Sequence, residues 1–163
     1  MSFNRPILRL FLLIGLLTAV VSLTACSFRS TFVVINESSD RIQLRYVVRK
    51  LRPSDYRSSL PVEPRIKLIS ELDDDVRWRE LSPSVFTFNE ETRTAVITLA
   101  PNEAVRVEQI SDTLCDDKDR KRDAFVIEEI SITGASGALR LTGDQVLNSF
   151  VTRKKQLCAL TYR

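Results

Sequence analysis

Phe32-Val33-Val34-Ile35-Asn36-Glu37-Ser38-Ser39-Asp40-Arg41-Ile42-Gln43-Leu44-Arg45-Tyr46-Val47-Val48 is the stretch that decides the fold class. Its first four residues are β-branched or aromatic and form a short continuous apolar run. Asn36 to Asp40 is rich in residues that favour turns. Ile42, Leu44, Tyr46 and Val48 then alternate with Gln43, Arg45 and, one residue further on, Arg49. Period-two alternation gives one apolar and one polar face, as in a half-buried strand, and the polar interruption joins two such strands.

The same pattern continues outward. Arg52 to Pro64 contains three prolines and reads as a loop or extended edge. Ile66 and Leu68, with Val76, Trp78 and Leu81, flank the acidic run Asp73-Asp74-Asp75 and suggest a hairpin. Val85 to Phe88 and Arg93 to Leu99 form a clearer one across Asn89 to Thr92. Beyond Pro101-Asn102, Ala104 to Ile110 sets Val105 and Val107 against Arg106 and Glu108. Phe125 to Ile132 and Ala138 to Leu141 are joined across Gly134 to Gly137, where glycine permits a tight turn. Gln145 to Thr152 carries Val146, Leu147, Phe150 and Val151 at helical spacing, with Thr142 or Asp144 as the cap. Leu157 to Tyr162 returns to strand composition. The expectation is a mainly β chain of about eight strands, a single antiparallel β-sandwich-like domain with one short C-terminal helix.

Residues 1–25 differ from the rest. Arg5 and Arg9 are their only charges, and Leu10 to Ala25 is an uncharged run of 16 residues. As a helix this run measures about 24 Å, short of a hydrocarbon core of about 30 Å. It ends in Leu23-Thr24-Ala25-Cys26. Charged start, apolar middle and this ending together resemble a bacterial lipoprotein precursor, with Leu23 to Cys26 as its lipobox. The resemblance implies cleavage before Cys26, acylation of its thiol and often of its amino group, and membrane attachment through acyl chains. It divides the chain into a cleaved signal peptide at 1–25, the lipidated Cys26 with a short tether at 26–31, and a globular domain at 32–163. Ser27 is compatible, by the same resemblance, with the periplasm-facing outer membrane of a Gram-negative cell.

Charge and composition narrow the function. The chain has 163 residues, 24 Lys+Arg, 21 Asp+Glu and no His. Cleavage would leave 138 residues, and the loss of Arg5 and Arg9 would bring the side-chain charge to about +1. That balance supplies no field for nucleic acid, which is not expected as a partner. Without histidine there is no Ser-His-Asp or Cys-His constellation and no His-ligated zinc. With Cys26 lipidated, Cys115 and Cys158 remain as an even pair in an exported protein, and a disulfide between them is expected.

Neither a catalytic nor a metal site is expected. Asp116, Asp117, Asp119 and Asp123 are interleaved with Lys118, Arg120, Lys121 and Arg122, which oppose a divalent cation. Glu90-Glu91 and Glu128-Glu129 are sequence neighbours and do not read as an acid and base across a cleft. Trp78, between Arg77 and Arg79, and the basic run Arg153-Lys154-Lys155 are the candidates for contact with a membrane surface or ligand. The reading is a non-catalytic, membrane-anchored envelope protein that needs no cofactor and scaffolds or binds another envelope protein. The alternatives are a membrane-bound carboxylate-based hydrolase, a carbohydrate-binding module, or a redox protein using Cys115 and Cys158.

Overall fold

In the computed structural model the described residues are 29–50, 64–72, 77–111, 115, 125–154 and 156–163. They form β1 (Arg29–Asn36), β2 (Ile42–Val48), β3 (Arg65–Leu68), β4 (Arg79–Glu80), β5 (Phe86–Asn89), β6 (Thr94–Leu99), β7 (Glu103–Ser111), β8 (Ile127–Gly134) and β9 (Gly137–Thr142). After these come the helix α1 (Asp144–Asn148), β10 (Val151–Lys154) and β11 (Leu157–Tyr162). The strands make a six-stranded sheet in the order β10-β11-β1-β7-β3-β4 and a five-stranded sheet in the order β5-β6-β2-β8-β9. Two packed sheets and one short helix are the β-sandwich-like domain expected from the alternation.

Strand β2 follows the pattern closely. Ile42, Leu44, Tyr46 and Val48 are buried, whereas Gln43 and Arg45 are exposed. The inner faces of both sheets meet in one core that includes Phe32, Leu44, Tyr46, Ile97, Ile130 and Leu160. Burying each such side chain stabilises the fold by about 1.5–3 kcal/mol. Phe32, Phe125 and Phe150 close one end, with ring centroids 5.0 to 5.8 Å apart.

Strand β1 is buried on both faces, which explains its continuous apolar run. Phe32 and Val34 enter the central core. Val33 and Ile35 join Ala104 and Ala159 in a second cluster, covered by Ile69, Leu72, Trp78 and Leu157. The neighbours of β1 differ in direction. It pairs antiparallel with β7 and parallel with β11, the one parallel pairing among the described strands.

Three expectations change in detail. The helix stops at Asn148, because Ser149 caps it and the chain turns into β10. Val151 therefore lies on an edge strand, 68% exposed, and does not continue a buried stripe. The residue preceding the helix is Gly143, at φ 54°, so neither Thr142 nor Asp144 is the cap. Between Phe32 and Val33 of β1 the register against β7 shifts: they face Glu108 and Arg106, which leaves Val107 as the extra residue. A bulge of this kind reverses the side-chain phase beyond it. Glu108 is thus turned inward and is 1% exposed.

Candidate functional site

The corner formed by β10 and β11 carries the most distinctive surface. Helix α1 carries the chain from β9 across to β10, and Ser149 Oγ donates to the Gln145 carbonyl at 2.7 Å to finish the turn. All four side chains of β10 are exposed, and its register against β11 shifts between Thr152 and Lys154. Glu37, in the turn after β1, accepts hydrogen bonds from Arg153 Nη1 at 3.4 Å and Arg163 Nε at 3.0 Å. A groove of about 550 Å³ runs here, lined by Ser149, Val151, Arg153 and Thr161 among others, with Glu37 and Arg163. It joins a polar rim to one exposed apolar side chain. Its exposed ion pairs contribute only about 0–1 kcal/mol each.

Trp78 occupies a different place. Its ring lies 5.2 Å from Lys67 Nζ on one count and 5.2 Å from the Arg106 guanidinium carbon on the other, within cation–π range. It packs over Val33, Ile35, Ala104 and Ala159, so its apolar area covers the outer layer of the first sheet. Burial, then the charge of Arg65, holds the Arg106 guanidinium below its usual range. Trp78 immediately precedes the β4 edge strand, whereas Arg153 and Lys154 sit on β10 at the opposite edge. The sheet order does not bring them into one patch. Cys26 and Lys155 lie outside the described residues, as do Asp73 to Asp75 and the Asp116 to Asp123 cluster.

Two other carboxylates act on side chains around them. Glu129 on β8 accepts from Arg45 Nη1 at 3.0 Å and Arg140 Nη2 at 3.2 Å across three neighbouring strands. The hydrogen bond from Arg140 is the main reason its carboxyl titrates below the usual range. Inside the core, burial and then the charge of Glu108 push the Tyr46 phenol well above its ordinary range. Glu108 Oε1 also accepts from the Gln109 backbone N–H at 2.8 Å. Among the described residues, no three His, Cys, Asp or Glu side chains converge as a metal site.

Cys115 and Cys158 are bonded, with Sγ atoms 2.04 Å and Cα atoms 5.5 Å apart. The bond ties the chain beyond β7 to β11. One exposed residue was missed in reading the sequence. Arg29 opens β1, three positions before Phe32, where the apolar run begins. Its neighbours in space are set by strand pairing, to which composition gives no clue.

The chain is thus a disulfide-closed β-sandwich with a mixed first sheet and an open groove along one edge. No protein-family model, curated protein or solved structure matches it.

Proposed function

We propose that this protein is a lipid-anchored lipoprotein of the bacterial cell envelope, whose β-sandwich binds another envelope protein and catalyses no reaction. The observation that carries this reading is the ending Leu23-Thr24-Ala25-Cys26 on an uncharged run too short to span a bilayer. The start of β1 at Arg29 supports it, because a folded domain beginning three residues after the acylated position is held at the membrane surface. Ser27 favours the periplasmic face of the outer membrane in a Gram-negative cell. The groove beside β10 is the surface we assign to the partner, with Arg153, Arg163 and Glu37 selecting a charged segment and Val151 an apolar side chain.

The test is metabolic labelling with a palmitate analogue, followed by in-cell crosslinking, affinity recovery and mass spectrometry, with Cys26→Ala as control. Label on the wild type alone, with one near-stoichiometric envelope protein that is lost in the control, is the expected result. An unlabelled protein would refute the anchor. A labelled protein that recovers nothing above background would refute the partner.

A further inference from the structure

We infer that the partner's segment in the β10 groove binds as an added strand, pairing its backbone with Thr161 on β11 and setting a carboxylate against Arg153 and Arg163; this rests on the partner-binding reading above. In a parallel pair, alternate residues of a strand turn their N–H and C=O toward that neighbour, and the residues between turn theirs to the other side. Two bonds fix the phase on β11. The Thr31 N–H donates to the Gln156 carbonyl at 2.7 Å and the Glu37 N–H to the Tyr162 carbonyl at 2.9 Å. Gln156, Cys158, Leu160 and Tyr162 therefore address β1, and Leu157, Ala159 and Thr161 address the opposite side. There β10 begins at Val151, opposite Ala159, and no described strand lies beside Thr161. Its N–H and C=O point into the groove that Thr161 itself helps to line.

Arg153 and a register shift blunt β10 itself as a pairing edge, so the open length is that of β11 beyond it. A residue opposite Thr161 in an antiparallel segment exchanges both backbone bonds with it. The side chains of such a pair share one face. On β11 that is the outer face, because Leu160 and Tyr162 enter the central core and Ala159 joins the outer cluster. Arg153 and Arg163 line the same groove, and each donates one bond to Glu37, from Nη1 at 3.4 Å and from Nε at 3.0 Å. The rest of each planar fork is left for a second carboxylate. The added segment runs toward β10 and turns away at Val151, whose exposed side chain meets it there. The occupant is thus an extended acidic segment of the partner, with its carboxylate on the residue opposite Thr161.

Heteronuclear amide spectra of the acylated full-length protein in neutral detergent micelles test this with a defined probe, the end-capped peptide Thr-Val-Thr-Val-Glu-Val. At millimolar concentration it should shift the Thr161 amide. Methylating the Glu amide nitrogen, or replacing Glu by Lys, should weaken binding roughly tenfold. Methylating the amide of the Val before it, which points to solvent, should have little effect. In cells, Thr161→Pro removes the groove-facing N–H and keeps the bonds to β1, as proline can on an edge, whereas Thr161→Val keeps both. The partner crosslink should fall roughly tenfold in the first variant and persist in the second. A thermal melt checks that both fold, and the peptide comparisons stand without either variant. An unshifted Thr161 amide, equal binding of the Glu-methylated peptide, or an undiminished crosslink in Thr161→Pro would overturn strand addition and leave the partner reading standing. Wild-type protein that recovers no partner would overturn that reading, and this inference with it.

Discussion

Glu108 stands opposite Phe32 across the β1–β7 pairing, on the side of the sheet that faces the core. A carboxylate and an aromatic ring thereby share an inner face, and the charge bears on Tyr46 from the opposing sheet. Simple alternation along β7 would send Glu108 to solvent. The bulge that leaves Val107 unmatched turns it inward.

This arrangement makes stability sensitive to alkali. The folded protein holds the Tyr46 proton more tightly than the unfolded chain, where tyrosine ionises near pH 10. Its contribution is complete below about pH 10 and declines as the pH rises above that value. Urea midpoints measured from pH 8 to 11 should fall less steeply for Tyr46→Phe than for wild type. Glu108→Gln should lie between them, since burial is the larger cause and remains.

Glu129 predicts the opposite slope on the acid side. Its folded pKa lies below the unfolded value near 4.5, chiefly through the Arg140 hydrogen bond. The stabilisation is present above that value and is lost as the pH falls through the lowered pKa. Because Arg45 and Arg140 are largely exposed, the effect should be about 0.2–1 kcal/mol and should shrink in salt. Denaturation of Glu129→Gln between pH 5 and 2 should lack this component. An unchanged acid slope in that variant would contradict the assignment.

Asn36 joins the ends of the two sheets. Its Nδ2 donates to the carbonyls of Asp40 at 2.8 Å, Ala100 at 3.0 Å and Leu99 at 3.3 Å. Its Oδ1 accepts from the Ser38 N–H at 3.1 Å and hydroxyl at 2.6 Å. Asn36→Ala should cost about 2–3 kcal/mol, because it leaves polar backbone without partners at a fully buried position. Asn36→Asp should cost more, since it turns a donor into a charge facing carbonyl oxygens. Chemical denaturation of the two variants gives the order.

Gly134 is required by contact. A Cβ there would lie 2.9 Å from the Tyr162 hydroxyl and 3.0 Å from Ile42 Cγ2. Gly134→Ala should destabilise by about 1–3 kcal/mol. Displacing Tyr162 would also disturb its hydroxyl's 2.8 Å hydrogen bond to the Gly137 carbonyl. At Gly137, where φ is 126° and the space is open, alanine should act through backbone strain instead. A thermal melt of each variant would be compared with wild type.

The Cys115–Cys158 bond closes a separation of 43 residues. In the chain-entropy account this is worth about 4 kcal/mol. Cys158→Ala with Cys115→Ala should lower the unfolding free energy by an amount near this, and reductant should have no further effect on that variant. A loss much below 1 kcal/mol would argue against loop closure as the source.

Legibility varied with the kind of interaction. Strands β2 and β6, and the hairpin that joins β8 to β9, could be read directly, because each has a core on one face and turn residues at its ends. The extent of α1 could not. Val146, Leu147, Phe150 and Val151 keep helical spacing, but the chain leaves the helix after Asn148 so that β10 can pair with β11. Trp78 stands between Arg77 and Arg79 in sequence, but the cations its ring meets are Lys67 and Arg106, neither adjacent in sequence.

Local order along the chain determined the fold class of this protein: the alternation that makes strands and the polar turns between them. These are short-range patterns, and backbone geometry acts on them directly. Tertiary structure decided which strands are neighbours. That alone put β11 parallel beside β1, carried Arg153 to Glu37, turned Glu108 into the core through a single extra residue in β7, and set Thr31 beside the β10–β11 turn. Such pairings depend on how two apolar faces and their backbone hydrogen bonds are satisfied together, and no stretch of sequence contains both partners.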